Sequence, residues 1–420
     1  MSETLSDGAA RQRGFTLVEM SVSLFVTVTV LLGVLALFDF SNKLSRVQTN
    51  VADMQQSLRV AQADVMRFVR MAGRGGLPLG NSALGVWTGW AVDVNNNVPD
   101  DTHIGVDAST PEVLPGSDVL TVRGIFTSPL YQANPADPTS FTLTPAADGG
   151  TIKIASTTPT GIPQDLAPLR DAIEKKRHEA LLLVSPKGDD VWAVVELSPE
   201  DSDVTSATQL TVGFKVTGGS YTALYSQFST KGPGVFNTDV TTVAFVGILE
   251  EYRFYARREF SIPNDDTSDL TPKLARARVY PGTQVPWGKD VPGGEDAAEA
   301  NWRLDIADNV FDLQVALAYN TSLKADEING ALKETADGEG DDWLYNGEAE
   351  PKPNDYAAAS LAYIRLSSLA RTDRRDKNYE APELVRTEDH VYGTSSFNST
   401  NERMYRRRIL RTMIDMRNLG

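Results

Sequence analysis

Few side chains in this sequence are equipped for chemistry. Its histidines are His103, His178 and His390, and it has no cysteine. A thiolate nucleophile, a Cys-bound zinc and a structural disulfide are therefore excluded. His178 opens "HEALL" (178–182), half of the helical pattern that sets two histidines on one zinc ion. The second position is Leu182, so the metal pair fails. "GRGGLPLG" (73–80) carries the glycines of a phosphate cradle but follows a helical pattern rather than a strand. Pro78 interrupts it, which rules out a dinucleotide loop. A G-x-S-x-G elbow is absent. No catalytic residue emerges, no cofactor is expected, and the chain reads as a non-enzyme.

Acidic loops and a basic cluster remain. "DGEGDDW" (337–343) sets Asp337, Glu339 and Asp341 at alternate positions, a spacing that can turn several oxygens toward calcium. It lacks the distant bidentate glutamate that a helix–loop–helix site needs. "DVNNNVPDD" (93–101) offers Asp93, Asn95 and Asn97, with Val98 where a tight-turn glycine belongs. Both read as solvated loops, so no metal is expected, and Asp337, Glu339 and Asp341 are the residues to check. Arg406, Arg407, Arg408 and Arg411 raise the capture of nucleic acid. A net charge of −16 opposes it, since phosphate backbones need a cationic footprint. Interleaved with Ile409, Leu410 and Met413, these arginines belong on the polar side of a last strand, paired with carboxylates.

The most demanding residue is Glu19, in "RQRGFTLVEM" (11–20). From Phe15 to Phe40 only Glu19 and Asp39 are charged, and at 1.5 Å per residue the segment can cross a hydrocarbon layer of ~30 Å. A carboxylate inside such a helix is expensive unless paired. One turn on, Val22 and Ser23 carry no charge, so the partner is expected outside this stretch. Arg11 and Arg13 precede the apolar run, which keeps the first residues cytoplasmic and exports the rest. "ALFDF" (36–40) does not look like a signal-peptide cleavage site. The apolar helix should stay on the mature protein.

"GFTLVE" (14–19), between a basic leader and a membrane helix, resembles the processing signature of type IV pilins and pseudopilins. The resemblance implies that a prepilin peptidase cuts between Gly14 and Phe15 and that Phe15 is N-methylated. It also implies that Glu19, then the fifth mature residue, pairs with the N-terminal amine of a neighbouring subunit. Major pilins usually bear a proline mid-helix. "LLGVLALF" (31–38) has Gly33 instead, which suggests a straighter helix.

Positioning these residues takes two elements. Leu44, Val47, Val51, Met54, Leu58, Ala61, Val65, Phe68 and Ala72 recur every three or four residues, one apolar stripe on a helix that "GRGGLPLG" ends. A coiled coil would use a similar stripe, but so short a seam beside a large β-rich segment is expected to pack on its own head. The organisation expected is a leader (1–14), a membrane or filament-core helix (15–40), its amphipathic continuation (41–72) and a β-rich head (77–420). The fold class is α+β: a pilin-like lollipop with a mostly antiparallel sheet and long loop insertions. Strands are read in 117–126, in a hairpin over 180–197, in the pair 243–258 and 274–280, in 355–372, and at the C-terminus. The stretch 306–320 is expected to begin with a helical or turn-like piece and enter a strand at Leu313. Loops are expected over 95–118, 127–165, 281–300 and 321–356.

"MRFVRMAGRGG" (66–76), "LPGSDVLTVRG" (114–124), "VFDLQVALAY" (310–319), "IRLSSLART" (364–372) and "YRRRILRTMIDMRNLG" (405–420) occur in the order found in PilW-like minor pilins, which the chain resembles. That implies a low-abundance pilin that joins other minor pilins and the major pilin, primes assembly and sits at the pilus tip, carrying a PilY-type adhesin. It would be single-pass in the bacterial inner membrane with a periplasmic head, then reach the cell surface. The alternative is the J-type pseudopilin of a type II secretion system, usually a much shorter chain.

Overall fold

The computed structural model describes residues 16–77, 91–99, 113–144, 148–186, 192–216, 240–259, 270–282, 287, 303–320, 343–345, 360–388, 390–393 and 397–416. By internal contacts the chain divides into two units, Met1–Asp53 and Met54–Gly420. Helix α1, Leu17–Arg70, runs unbroken from the first into the second, and through Gly33, for 54 residues.

In the first unit α1 has no cover. Every described residue from Thr16 to Arg46 is exposed. Several of its polar side chains bond locally, as an apolar surrounding favours. Ser21, Thr27 and Thr29 donate to the carbonyls of Leu17, Ser23 and Phe25, and Lys43 pairs with Asp39 at 2.7 Å.

In the second unit the apolar stripe meets a core. Met54, Leu58, Ala61, Val65, Phe68 and Val69 are buried. The helix ends in turns at 71–76 where Gly73, Gly75 and Gly76 take positive φ, a conformation that L side chains disfavour.

The head is a mostly antiparallel β structure, and the fold is α+β. Strands β1 (Val92–Asn95), β2 (Val119–Gly124), β3 (Tyr131–Gln132), β4 (Phe141–Leu143), β5 (Gly149–Ala155), β6 (Ala180–Val184), β7 (Trp192–Asp203), β8 (Gln209–Lys215), β9 (Phe245–Arg257), β10 (Lys273–Val279) and β11 (Arg303–Asp308) form one sheet among the described residues. Strand β9 organises it. Its first half pairs with β3 and β6, and its second half runs between β2 and β10. The order continues β6–β7–β8–β5–β4 on one side and β1–β2 on the other. The 180–197 hairpin and the β9–β10 pair stand as expected. A second sheet runs β13 (Trp343–Tyr345), β12 (Val310–Asn320), β14 (Ser360–Arg371), β17 (Arg407–Asp415), all antiparallel. Short strands β15 (Arg386–Thr387) and β16 (His390–Val391) pair with each other.

Expected loops prove to hold strands, β13 within 321–356 among them, and other expectations change as well. The stretch 127–165 holds β3, β4 and β5 rather than loop alone. Strands β3 and β4 are short, and Gly150 of β5 lets β4 approach closely: a Cβ there would lie 2.2 Å from the Thr142 carbonyl oxygen. The stretch 306–320 begins as strand rather than helix, its turn-like piece reduced to Asn309, and β12 starts at Val310 rather than Leu313. It is strand–turn–strand, with Asn309 at φ 59° supplying the left-handed corner between β11 and β12. Helix α2 (Ala167–Glu174) is absent from the sequence reading; Leu169, Ala172 and Ile173 bury against the core under β6 and β7. Near the C-terminus a one-turn helix, α3 (Thr400–Arg403), is capped by Ser399, whose side chain accepts from the Glu402 amide.

The segment "LPGSDVLTVRG" joins the two sheets. Ser117 Oγ accepts from the Leu313 amide at 3.1 Å, and the Asp118 amide donates to the Leu313 carbonyl at 2.8 Å. The buried Asp118 carboxylate accepts from the Val315 amide at 2.7 Å and the Asn97 amide at 2.8 Å. Beside this seam lies an apolar cluster of Leu114, Ala256, Phe311, Leu369 and Tyr392.

Candidate functional site

Glu19 sits in the first turn of α1, and its environment corrects one expectation. A partner does lie in the same stretch, upstream rather than downstream. Thr16 donates to Glu19 Oε2 twice, from its amide and its hydroxyl, each at 2.9 Å. The Glu19 amide donates back to Thr16 Oγ1 at 3.3 Å. "TLVE" is thus a capping box, in which a first-turn carboxylate also favours the positive end of the helix. Oε1 has no partner among the described residues. Gly14 and Phe15 lie outside the described residues, as do the leader, His103, Asp337, Glu339 and Asp341.

Downstream, α1 is held by more than its apolar stripe. Phe68 packs against Phe126, Tyr252 and Phe254, with ring centroids 4.6–5.6 Å apart. Arg276 lies over the Phe68 ring at 4.5 Å and pairs with Asp64 at 2.8 Å. Gln62, buried on the same helix, donates to the Leu410 carbonyl at 2.8 Å and accepts from Thr412 Oγ1 at 2.5 Å. The helix therefore grips β10 and β17 by named polar contacts. Gln62 carried no sequence signal, being a polar residue within an apolar pattern.

Under α1 the sheet buries adjacent acids of opposite character. Glu250 and Glu251 are neighbours on β9 and so face opposite sides. Glu251 accepts from Arg123 Nε at 2.7 Å, Arg253 Nε at 2.9 Å and the Gly282 amide at 2.7 Å. Burial alone would raise its carboxyl, but the two arginines and the amide outweigh it and hold it below 4.5. Glu250 accepts from the Phe126 and Thr127 amides and lies 3.1 Å from Arg278. Glu179 is buried and accepts from Trp287 Nε1 at 3.0 Å. There burial prevails over Arg278 and Trp287, and its carboxyl is pushed above 4.5.

His178 and Glu179 do not act together. His178 Nδ1 meets Glu196 Oε1 at 2.8 Å, while Glu179 turns to Trp287 and Arg278. His390, by contrast, joins a cluster drawn from distant segments. Its Nδ1 lies 2.9 Å from Asp312 Oδ2, which also accepts from the Tyr392 hydroxyl. Gln314 Nε2 donates to Asp312 Oδ1 at 2.9 Å and to the Gly116 carbonyl at 2.8 Å. Burial, with the Asp312 charge, pushes the Tyr392 hydroxyl up, so it stays a donor. His390 and Asp312 are 78 residues apart, and nothing in the sequence pairs them.

The C-terminal arginines divide. Arg406 pairs with Asp376 at 3.0 Å, and Arg411 lies 3.7 Å from Glu388. Arg407 instead donates to the Phe397 carbonyl. Asp93 and Asn97 are drawn into the β1–β2 region: Asp93 lies 3.9 Å from Arg123, and Asn97 turns the chain at φ 43°. No group of three His, Asp or Glu suited to a metal ion occurs among the described residues.

Among the described residues α1 is the one helix long and apolar enough, by length and composition, to cross a membrane. Residues 9–35 match the family described as the Prokaryotic N-terminal methylation motif. This is the leader of type IV pilin-like and pseudopilin proteins, and it spans Gly14, Phe15 and Glu19. No curated protein and no solved structure matches the chain.

Proposed function

We propose that this chain is a minor type IV pilin. It is cut between Gly14 and Phe15 by a prepilin peptidase and methylated on Phe15. It waits in the inner membrane with its head in the periplasm, joins other minor pilins and the major pilin to prime a filament, and rides to the tip, where its head presents a PilY-type adhesin. The matched leader supports the first steps. The observation that carries assembly is the uncovered half of α1: an apolar surface on which Asp39 pairs with Lys43, while Thr16 occupies a single oxygen of Glu19.

The physics is that of partner choice. Moving an apolar helix from lipid to a filament core is nearly neutral in hydrophobic energy, so packing and polar pairs decide which neighbour fits. Thr16 fixes the Glu19 rotamer and leaves Oε1 for a donor from another chain. The freed amine of a neighbouring Phe15 is a suitable donor, because it neutralises the charge within the apolar layer. No catalytic step is assigned to the chain; the family of the matched motif is structural.

The test is Glu19→Ala in the full-length chain. Export and leader cleavage should continue, with mature protein starting at methylated Phe15 by mass spectrometry. Co-purification with other pilins and surface piliation should fall by at least about tenfold, the loss expected for a desolvated charge pair. Unchanged piliation would end the pairing role. Loss of protein secretion with intact pili, in a strain lacking the chain, would assign it to a pseudopilus instead.

A further inference from the structure

The head contains a cleft of about 530 Å³, within the usual size range for a small-molecule site. Its apolar wall is Leu114, Leu270, Phe311 and Phe397, and its polar groups come from His390, Arg371, Arg258 and Glu402.

His390 is oriented from behind. Asp312 is 1% exposed and accepts from Tyr392 and Gln314 as well as lying against His390 Nδ1. A buried carboxylate with these donors assigns the ring proton to Nδ1, which leaves Nε2 as the basic nitrogen. Gly116 makes room for it. A Cβ at Gly116 would lie 2.6 Å from Nε2, and φ of 77° excludes most side chains there in any case. Nε2 has no hydrogen-bond partner among the described residues.

The cationic side is under-neutralised. Arg371 is 4% exposed, and although it meets Glu402 and the Leu270 carbonyl, its Nε has no acceptor. Directly across the β14–β17 ladder stands Arg407, whose Nε and Nη1 are also buried without acceptors. Like charges at directly opposed strand positions repel, and unsatisfied buried donors are costly. Burial, together with the Arg371 and Arg403 charges, accordingly holds the Arg407 guanidinium below its usual range despite Glu402. A negative group arriving beside Arg371 offsets the like-charge repulsion between the two.

We propose that this cleft binds a small carboxylic acid with an apolar body, its head on His390 Nε2 and Arg371 and its body against Phe311, Phe397, Leu114 and Leu270. The carboxylate accepts from the Arg371 guanidinium and, with one proton taken up from solvent at Nε2, from a His390 imidazolium held by Asp312. No covalent bond is made or broken. The site is independent of the Glu19 reading and lies in a different unit of the chain.

The experiment uses the full-length chain in lipid nanodiscs, titrated with hydrocinnamate, with its neutral amide, and with acetate. Ligand-observed NMR reads binding against empty discs. Hydrocinnamate should bind saturably, one-to-one, and at least about tenfold tighter than either the amide or acetate, the difference expected for a charge-assisted hydrogen bond. His390→Gln should erase the acid-over-amide preference while leaving the weak binding of the amide in place. Equal affinity for acid and amide in the unaltered chain overturns the proposal without any variant, and so does equal uptake by empty discs. Retention of the full preference by a folded His390→Gln protein overturns it as well.

Discussion

Between Leu17 and Phe40, and again between Met54 and Arg70, α1 has the same backbone, but leucine, valine and phenylalanine make up 15 of the 24 residues in the first segment and five of the 17 in the second. The first segment is exposed throughout, with Leu31 at 56%, while in the second Phe68 is 5% exposed. Apolar content and its arrangement both tell the two apart. The second confines its apolar residues to a stripe and places Asp64, Arg67 and Arg70 around it. The first is apolar on every face, the pattern of a segment whose surroundings are apolar on every side. One part of the helix is matched to a protein core and the other to lipid or to other helices.

The sharpest way to break this contrast is Phe68→Ala. Phe68 touches three aromatic rings and the Arg276 guanidinium. Its loss should destabilise the head by about 3–5 kcal/mol, read by denaturant unfolding followed through tryptophan fluorescence. A change below about 1 kcal/mol would mean that the stripe does not hold the helix to the sheet.

Next in size is the pair of buried acids. Glu251→Gln removes the buried charge that Arg123 and Arg253 share and should cost about 3 kcal/mol at neutral pH. Because the Glu251 carboxyl is held below 4.5 in the fold, its contribution is complete above that pH and is lost as the pH falls through it. Glu179 has the opposite sign. Its carboxyl is raised above 4.5, so its ionisation opposes the fold as pH rises from 4.5 upward. Glu179→Gln keeps an acceptor for Trp287, while Arg278 retains Glu250 at 3.1 Å. That variant should cost far less at neutral pH than Glu251→Gln, and its stability should decline less between pH 4.5 and neutrality. Stability curves of equal slope for the two variants would refute the assignment.

The same contrast explains what the sequence could reveal. The stripe of α1 and the long strands β9, β14 and β17 announce themselves by period and length. Strands β3, β4 and β5 do not: β3 and β4 span only two and three residues, β5 opens on Gly149 and Gly150, and turn residues border them, so local composition favours loop. Asn309 misleads for a related reason, since "ADN" before an apolar run resembles a helix start, whereas the residue supplies a left-handed corner. A charge one turn later is the obvious partner for Glu19, but neutral Thr16 provides it one turn earlier. The His390–Asp312 contact depends on the docking of β12 against β16, and tertiary neighbours of that kind leave no local trace.

The smallest expected effect completes the contrast. Leu31→Ala removes as many methyl and methylene groups as a core leucine truncation, yet Leu31 has no protein cover in the chain. Head stability should change by less than about 0.5 kcal/mol, and the alanine itself favours the helix. The comparable truncation of Leu58, 1% exposed, would leave a cavity and cost several times more. If Leu31→Ala lowered head stability by as much as a core truncation, the exposed segment would have to be packed against protein within the same chain. Its apolar surface would then no longer be free for lipid or for a neighbouring pilin helix.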